Sequence, residues 1–418
     1  MRSLRAIAGT LALVAATGAH AATVFPADAK DRADDVDTLC RFVASDYAYL
    51  DRKTVDWPGV CADARDAAIA ADSRDAFVLV LERAVHALYD AHAHLGTSAP
   101  QSTRLVPTDT DVVARWDGDD ATITDVRDGS AALAAGLRPE QRVVRIDDRP
   151  TKDAAAALEA RPLRKPDPAA RDFALQLALA GRQDGQPVRL VVRDGEEERA
   201  IEFVPKVQRP AAPVSAFIDG DVAIIRVNNT LGDPYTVTAF DHALDAMPTA
   251  RALILDLRDT PSGGTSSVAR GIMGRLVAKE APYQRHELVS EERTTRVRRV
   301  WVEYVEPREV NGVRPFRGDV VVLVGRWTGS MAEGLAIGLN AARGARVVGR
   351  PMARLAGALD EITLPHSQVV VRIPTEKLFH VDGTPREAFV PQALDVRPTD
   401  RREGDGELAA TMRLLTKR

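Results

Sequence analysis

The sequence has little cysteine and few aromatic residues: its 418 positions include only two cysteines, and aromatic residues make up 5%. Two cysteines cannot form the framework of a disulfide-rich scaffold, and neither lies in a metal-ligand spacing, so a zinc site is not expected. No run of five like charges occurs, and the formal net charge is −4. Because duplex binding normally needs a basic stripe, nucleic acid is disfavoured as a partner.

Long apolar runs are missing after the first 21 residues, and no later segment reaches the 18 uninterrupted apolar residues typical of a membrane span. Hydrophobic residues make up 45% of the chain and charged residues 28%. This ordinary composition excludes a collagenous or largely disordered chain. At roughly 100–200 residues per domain, the length predicts two or three domains, each able to bury its own core.

The N-terminus has the pattern of a secretory signal peptide. Arg2 and Arg5 precede a short apolar stretch at residues 6–18, and a small-x-small cleavage site follows at residues 19–21. We therefore predict that residues 1–21 are removed and that the mature protein is exported, to the periplasm or outside the cell. A buried N-terminal helix is the alternative interpretation.

Cys40 and Cys61 both lie in helix-like sequence near the mature N-terminus. An exported protein reaches an oxidising compartment, where two cysteines on adjacent helices can form a disulfide. Two buried thiols are the other interpretation, and the sequence does not decide between them.

Three sequence patterns follow one another along the mature chain. Residues 33–95 have apolar positions recurring every three or four residues, which predicts an N-terminal helical domain at 22–104. Residues 105–205 consist of short alternating runs and turns, which predict a small β-rich domain. From 214 to 400, continuous apolar runs alternate with helical patterns, as in the buried sheet of an α/β fold. The polar stretch at about 283–318 is interpreted as an insertion into this last domain.

Two glycine-containing turns follow buried strands of the α/β domain. The first ends in Gly263 and Gly264, where the absence of side chains lets backbone N–H groups approach a ligand. The second contains Ser330 and leads into a helix, whose N-terminus would stabilise an oxyanion next to the serine hydroxyl. Ser330 is therefore a candidate nucleophile, although a helix N-cap is the commoner role of serine at this position.

A serine nucleophile needs a base within hydrogen-bond reach, and the sequence contains eight histidines. His92 and His94 occur together where the N-terminal helices give way to an extended segment. Their two-residue spacing places both on one face of a strand, an arrangement that would also suit a metal. No third ligand lies nearby in the sequence, so no metal is expected.

These features, in this order, resemble the tail-specific, or C-terminal-processing, serine peptidases from about residue 40 to residue 398. The closer likeness is to the branch related to the tricorn core and to interphotoreceptor retinoid-binding protein modules. The segments that carry the resemblance are 88–92, 128–139, 256–264, 329–334 and 385–391.

The resemblance implies a fold class as well as a chemistry. It implies an α/β fold with a crotonase-like peptidase core at 214–400, preceded by a helical N-terminal domain at 22–104 and a PDZ-like module at 105–205. PDZ modules bind an extended peptide by adding it to a sheet as a strand. No cofactor is implied.

The family activates its serine in two ways, and the sequence distinguishes them. One branch uses a lysine 25 residues after the nucleophile, but here that position is Leu355, and no lysine occurs between Ser330 and Lys377. The tricorn-like branch uses a histidine from the N-terminal domain and a late glutamate, and His92 and Glu387 match these positions.

The resemblance therefore implies that His92 takes the proton of Ser330 and returns it to the leaving amine. Glu387 would hold the assembly in register, directly or through a bridging hydroxyl. Because a histidine base must be neutral, we expect the rate to rise with pH through a group with a pKa of about 6–7.

The resulting hypothesis is an exported serine endopeptidase that hydrolyses unfolded or C-terminally exposed polypeptides through an acyl-enzyme on Ser330. The backbone N–H of Met331, with that of Gly264 or Gly263, would form the oxyanion hole. Two other function classes remain open: a non-catalytic peptide- or ligand-binding protein on the same scaffold, and a crotonase-like acyl-transfer enzyme acting on small molecules.

Overall fold

The structure, a computed structural model, describes residues 23–396 and 404–416. The predicted signal peptide, residues 1–21, lies outside the described residues. Within the part of the chain that is described, no helix is both long enough and apolar enough to cross a membrane.

Three helices form the first part of the fold: α1 (Ala29–Asp46), α2 (Trp57–Ala70) and α3 (Arg74–His86). Asp28 and Ser73 cap α1 and α3, because their side chains accept backbone N–H bonds from the first turn. The apolar faces of the helices pack into one core that includes the fully buried Leu39 and Leu81. The helical periodicity of this part of the sequence is therefore confirmed.

Cys40 of α1 and Cys61 of α2 form a disulfide, with their Cα atoms 6.0 Å apart. The structure thus answers the question that the sequence left open between a disulfide and two thiols. Beside the disulfide, the indole N–H of Trp57 donates a hydrogen bond to the Cys40 carbonyl at 3.2 Å. The two helices are therefore held together by a covalent bond and by a buried polar contact.

The middle part of the chain forms an antiparallel sheet. Its strands occur in the order β2-β3-β4-β6-β7, with β5 paired to β4. Strands β6 and β7 form a hairpin, in which Asp194 pairs with Glu197 at the turn. The elements are β1 (His94–Leu95), β2 (Val112–Asp117), β3 (Asp120–Val126), α4 (Ala131–Ala134), β4 (Arg142–Ile146), β5 (Arg149–Pro150), α5 (Thr151–Ala156), α6 (Pro168–Ala180), β6 (Val188–Asp194) and β7 (Glu197–Phe203).

The last part of the chain, from residue 214, contains strands of two sheets. The strands and helices are β8 (Val214–Asp219), β9 (Val222–Val227), α7 (Tyr235–Asp245), β10 (Ala252–Asp256), β11 (Asp259–Thr260), α8 (Ser266–Gly274), β12 (Ala281–Leu288), α9 (Val289–Thr295), β13 (Arg299–Val305), β14 (Asp319–Val324), β15 (Trp327–Thr328), α10 (Met331–Arg343), β16 (Arg346–Gly349), β17 (Ala358–Thr363), β18 (Val370–Phe379) and α11 (Gly406–Thr416).

The first of these two sheets has the strand order β16-β14-β10-β9-β8. Its first four strands are parallel, and β8 is antiparallel to β9. The central strands β10 and β14 are buried on both faces, which explains their continuous apolar sequences. The mixed α/β architecture expected from the sequence is therefore confirmed.

The other sheet has the strand order β1-β18-β12-β13, with β17 also paired to β18. The polar stretch interpreted as an insertion contributes to it, because β13 and part of β12 lie within that stretch. Strand β1 brings in the segment that follows α3: His94 pairs with Arg372 and Leu95 with Val371. This pairing anchors the region around His92 to the last part of the chain.

A short parallel ladder brings the two glycine-containing turns side by side. It pairs β11 with β15, so that Asp259 lies opposite Trp327 and Thr260 opposite Thr328. The Gly329 N–H donates to the Thr260 carbonyl at 3.1 Å. Because both turns follow parallel strands, they emerge at the same edge of the sheet.

Replacing both Cys40 and Cys61 with serine is expected to lower the free energy of unfolding by about 3 kcal/mol, because the crosslink restricts the unfolded chain. Urea denaturation of the protein in non-reducing buffer measures the change, and the wild type under reducing conditions is the matched control. Equal stability of the oxidised protein and the double variant would contradict the prediction.

Candidate active site

Ser330 lies in the turn between β15 and α10, with its backbone at φ +52° and ψ −119°. A residue other than glycine rarely adopts a positive φ, and such strain persists only where surrounding contacts impose it. One of these contacts is with Glu333, whose carboxylate accepts the Ser330 N–H at 2.9 Å. The turn therefore holds Ser330 in a strained conformation at the N-terminus of α10.

The structure brings His92 to Ser330 as the sequence predicted. His92 Nε2 lies 3.0 Å from Ser330 Oγ, although the two residues are 238 positions apart. The His92 backbone N–H donates to the Asp90 carboxylate at 2.9 Å, and the Tyr47 hydroxyl donates to the same carboxylate at 2.7 Å. These contacts fix the position of the histidine backbone between α3 and β1.

The other ring nitrogen of His92, Nδ1, lies 2.7 Å from the carbonyl oxygen of Ala356. A carbonyl oxygen can only accept a hydrogen bond, so Nδ1 carries the proton. In a neutral imidazole, Nε2 is then unprotonated and presents its lone pair to the Ser330 hydroxyl. This is the tautomer that a general base needs.

Burial determines the charge of His92. The side chain is almost completely buried, and burial disfavours the charged imidazolium. The positive charge of Arg386 acts in the same direction, and together they lower the pKa of His92 to about 4. The expected pKa of about 6–7 is that of an exposed histidine and is wrong for this environment. His92 is therefore neutral throughout the physiological pH range.

The first glycine turn packs directly against the serine turn. A Cβ atom at Gly263, where φ is +64°, would lie 2.8 Å from the Met331 nitrogen and the same distance from Ser330 Oγ, and one at Gly264 would overlap the Leu231 backbone. Within the described residues, the N–H groups of Gly264 and Met331 donate to no protein acceptor. Both residues line the cavity beside Ser330, so two free donors face it.

Glu387 does not contact His92. Its Oε1 accepts a hydrogen bond from Arg52 at 2.9 Å, and its Oε2 is buried without a partner. Among the described residues no hydrogen bond joins Glu387 to His92, because the Ala356 carbonyl occupies the position next to His92 Nδ1. That Glu387 holds the assembly in register stays a prediction.

Glu333, which the sequence did not mark as a site residue, lies beside Ser330. Glu333 is fully buried and accepts backbone N–H bonds from Ser330 at 2.9 Å, Arg354 at 2.8 Å and Leu355 at 3.1 Å. Burial raises the pKa of Glu333 to about 7, although Arg386 and the three N–H groups lower it. The spacing Ser-x-x-Glu at a helix start, which is typical of a capping box, could have identified it.

His94 has a different environment from His92. Its Nδ1 bonds to the backbone carbonyl of His92 at 2.9 Å. Across the described residues, the one group of three side chains close enough to hold a metal ion is Asp31, Asp34 and His366. The structure therefore gives no metal-binding partner set to either histidine of this segment.

A cavity of about 610 Å³ opens over Ser330 and His92. One wall is a face of the sheet formed by β12, β13 and β18, because alternate residues of a strand point to the same side. The side chains on this wall are Gln284, His286, Trp301, Glu303, Glu376 and Leu378.

The wall is acidic. His286 Nδ1 lies 2.8 Å from the Glu376 carboxylate, and Nε2 lies 3.8 Å from that of Glu303. Two carboxyl groups, those of Glu303 and Glu376, therefore flank one imidazole on this wall. The guanidinium of Arg386 also lines the cavity, but its Nη2 is bonded to backbone carbonyls.

A serine hydroxyl bonded to a neutral histidine beside free backbone amides is the arrangement of a serine hydrolase. Residues 221–391 match the model of peptidase family S41. This region is therefore similar to that family, and the match supports a serine-type peptidase.

Solved structures share the fold over almost the whole chain. Mature CPAF, in a complex with lactacystin, has a TM-score of 0.60 at 14% identity, covering 92% of this chain and 97% of that one. The photosystem II D1 C-terminal processing protease has a TM-score of 0.55 at 16% identity, covering 92% and 97% respectively. At these identities the likeness concerns the fold alone. No curated protein sequence matches the chain.

The low pKa of His92 can be measured directly. We expect the Cε1–H resonance of His92 in an NMR titration to have its midpoint at about pH 4, because burial and Arg386 both disfavour the imidazolium. The His92→Ala variant assigns the resonance. A midpoint of about 6–7 would mean that the imidazole is solvated, contrary to the structure.

Proposed function

We propose that the protein is an exported serine endopeptidase that cleaves unfolded or C-terminally exposed polypeptides through an acyl-enzyme on Ser330. The observation that carries the proposal is the contact of 3.0 Å between Ser330 Oγ and His92 Nε2, with the imidazole held in the basic tautomer. Neither residue acts alone, since a serine hydroxyl is a weak nucleophile until a base removes its proton.

In the proposed mechanism, Ser330 Oγ attacks the carbonyl carbon of the scissile peptide bond while His92 Nε2 takes the hydroxyl proton. The N–H groups of Met331 and Gly264, or of the adjacent Gly263, stabilise the negative charge on the carbonyl oxygen. His92 then protonates the leaving amine, and the C–N bond breaks to give the acyl-enzyme. Water, deprotonated by His92, hydrolyses the ester and restores Ser330.

The role that remains for Glu387 is indirect. Its bond to Arg52 links the loop after α1 to the segment that carries Arg386. We propose that Glu387 supports the site by holding this segment, rather than by orienting the histidine.

Export is supported by the predicted signal peptide at residues 1–21 and by the Cys40–Cys61 disulfide, since disulfides persist in oxidising compartments.

We assign residues 22–104 to a helical domain, 105–205 to a PDZ-like module and 214–400 to a crotonase-like core. The edge strand of the module's sheet, β2, is engaged by α6: Gln176 Nε2 donates to the Ala114 carbonyl at 2.8 Å. An added peptide strand would have to displace this bond.

The proposal is tested by cleavage of dye-labelled casein without added metal. Ser330→Ala should reduce the rate by at least about 10⁴-fold with an unchanged circular dichroism spectrum, because the nucleophile is removed. Labelling of the wild type by a fluorophosphonate, absent in the variant, confirms the modified serine. A folded wild type that neither cleaves nor labels would favour a non-catalytic binding protein, and hydrolysis of thioesters alone would favour acyl transfer.

His92 and His94 provide a matched pair of variants. His92→Ala should reduce kcat by about 10³-fold or more, because Ser330 loses its base, whereas His94→Ala should change it by less than about tenfold. Steady-state kinetics on one peptide substrate measures both. Equal losses would contradict the assignment of His92 as the single base.

The acidic wall predicts a preference for basic substrates. A peptide with lysine next to the cleaved bond should have a kcat/KM roughly fivefold to tenfold above its norleucine counterpart, which has a similar apolar chain without the charge. Glu303→Gln and Glu376→Gln should each reduce this ratio, and Glu198→Gln, on the exposed strand β7, is the control. Equal rates for lysine and norleucine on both sides of the bond would exclude the preference.

A further inference from the structure

The carbonyl that orients His92 lies in a short segment, residues 354–357, which we call the strap. The strap has no regular secondary structure and contains two residues with positive φ, Arg354 at +60° and Gly357 at +61°. The Ala356 carbonyl is therefore not held by the hydrogen bonds of a helix or a sheet. Other contacts must fix it, because its position selects the tautomer of His92.

Glu333 holds the strap from one side. Its carboxylate accepts the N–H groups of Arg354 and Leu355, and one of the same two oxygens, Oε2, also accepts the N–H of Ser330. One buried side chain is therefore bonded both to the backbone of the nucleophile and to the segment that orients the base. Because Glu333 is buried, movement of either would leave its carboxylate without these partners at a cost in free energy.

Arg386 holds the strap from the other side. Its Nη2 donates to the carbonyl oxygens of Leu355 at 2.9 Å and Gly357 at 2.6 Å, the residues on either side of Ala356. The Arg386 side chain is buried, and its charge stabilises the ionised form of Glu333. The Ala356 carbonyl is thus left free to accept the bond from His92.

We propose that Glu333 and Arg386 are positioning residues that fix the Ala356 carbonyl, so that a backbone oxygen performs the orienting role that a carboxylate has in a Ser–His–Asp triad. The inference rests on the proposed function, because it concerns the base of that reaction. Neither residue exchanges a proton with the substrate. Arg386 acts through the strap, and Glu333 acts through the strap and through its bond to the Ser330 N–H.

The ionisation of Glu333 gives this arrangement a pH dependence. The groups around the carboxylate are the Arg386 and Arg326 guanidinium groups and the three N–H donors, all of which favour the ionised form. Burial opposes them and leaves the pKa of Glu333 at about 7. Above this pH the ionised carboxylate accepts all three N–H bonds. Below this pH one of its oxygens carries a proton, and that oxygen accepts hydrogen bonds less well. We therefore expect a partial loss of kcat as the pH falls through 7, separate from the loss at about pH 4 caused by His92.

The test replaces Glu333 with glutamine, which has nearly the same shape but only one accepting oxygen. Glu333→Gln should reduce kcat by about 10²-fold, the cost typical of a small misplacement of a catalytic group, while KM changes little. The step near pH 7 should disappear from the profile. Glu82→Gln is the matched control, because Glu82 also accepts a backbone N–H, from Thr103 at 3.0 Å, outside this site.

A second readout does not depend on turnover. In protein labelled with ¹⁵N-histidine, the Nδ1–H resonance of His92, assigned by its loss in His92→Ala, reports the bond to Ala356. It should shift or broaden in Glu333→Gln and remain in Ser330→Ala and Glu82→Gln. If the wild-type protein does not cleave peptides, the proposed function fails. The Nδ1–H resonance would still test whether Glu333 fixes the Ala356 carbonyl.

Arg386→Lys is the second variant, and it keeps the test available if Glu333→Gln does not fold. Lysine retains the charge, but its side chain is shorter and its ammonium falls short of the position of Arg386 Nη2, the atom that donates to both carbonyls. The same change in the Nδ1–H resonance is therefore expected. If both single variants fold, the double variant should have about the same activity as the less active of the two single variants. The two losses should not add, because both residues hold the same strap. A folded Glu333→Gln or Arg386→Lys with wild-type kcat and an unmoved resonance would overturn the proposal.

Discussion

The hydrogen bond between His92 Nδ1 and the carbonyl oxygen of Ala356 is the contact on which the candidate site depends. An isolated imidazole can place its proton on either nitrogen, and only one choice leaves a lone pair facing Ser330. A carbonyl oxygen permits one choice alone, because it has no proton to donate. The same bond explains how a buried histidine with a low pKa can be held in place without a carboxylate partner.

The architecture serves this contact by bringing four separate segments to one edge of the parallel sheet. The ladder between β11 and β15 sets the glycine turn against the serine turn. The pairing of β1 with β18 delivers the histidine from the N-terminal part of the chain. The strap follows β16 and leads into β17, so its position depends on both sheets. Each of these pairings is formed by backbone groups and leaves the side chains free for chemistry.

Much of the fold was predictable from the sequence, because buried parallel strands have continuous apolar sequences. Strands β9, β10 and β14 are continuous apolar runs of this kind, and the helices around Leu39 and Leu81 show the apolar spacing of three or four residues. Strands β12, β17 and β18 were not identified, since their alternating polar residues face the cavity or solvent and give no continuous hydrophobic signal. The polar residues of β12 were instead interpreted as part of an insertion.

The candidate site was predictable in part, for a different physical reason. Ser330 and His92 have side chains whose chemistry marks them, and the structure brings them together. The Ala356 carbonyl is a backbone atom, which any residue could supply, so no residue type indicates it. Glu387 was chosen by its position in a motif, and its carboxylate instead pairs with Arg52. Glu333 has the Ser-x-x-Glu spacing from Ser330, but that spacing by itself indicates only a helix cap.

The distance in sequence between the nucleophile and its base has a consequence for the life of the chain. His92 precedes Ser330 by 238 residues, and the strap follows Ser330 in turn. A growing polypeptide shorter than 357 residues lacks part of this set, and a full-length but unfolded chain does not assemble it. The arrangement of Ser330, His92 and the strap therefore exists only after segments far apart in the sequence have folded together.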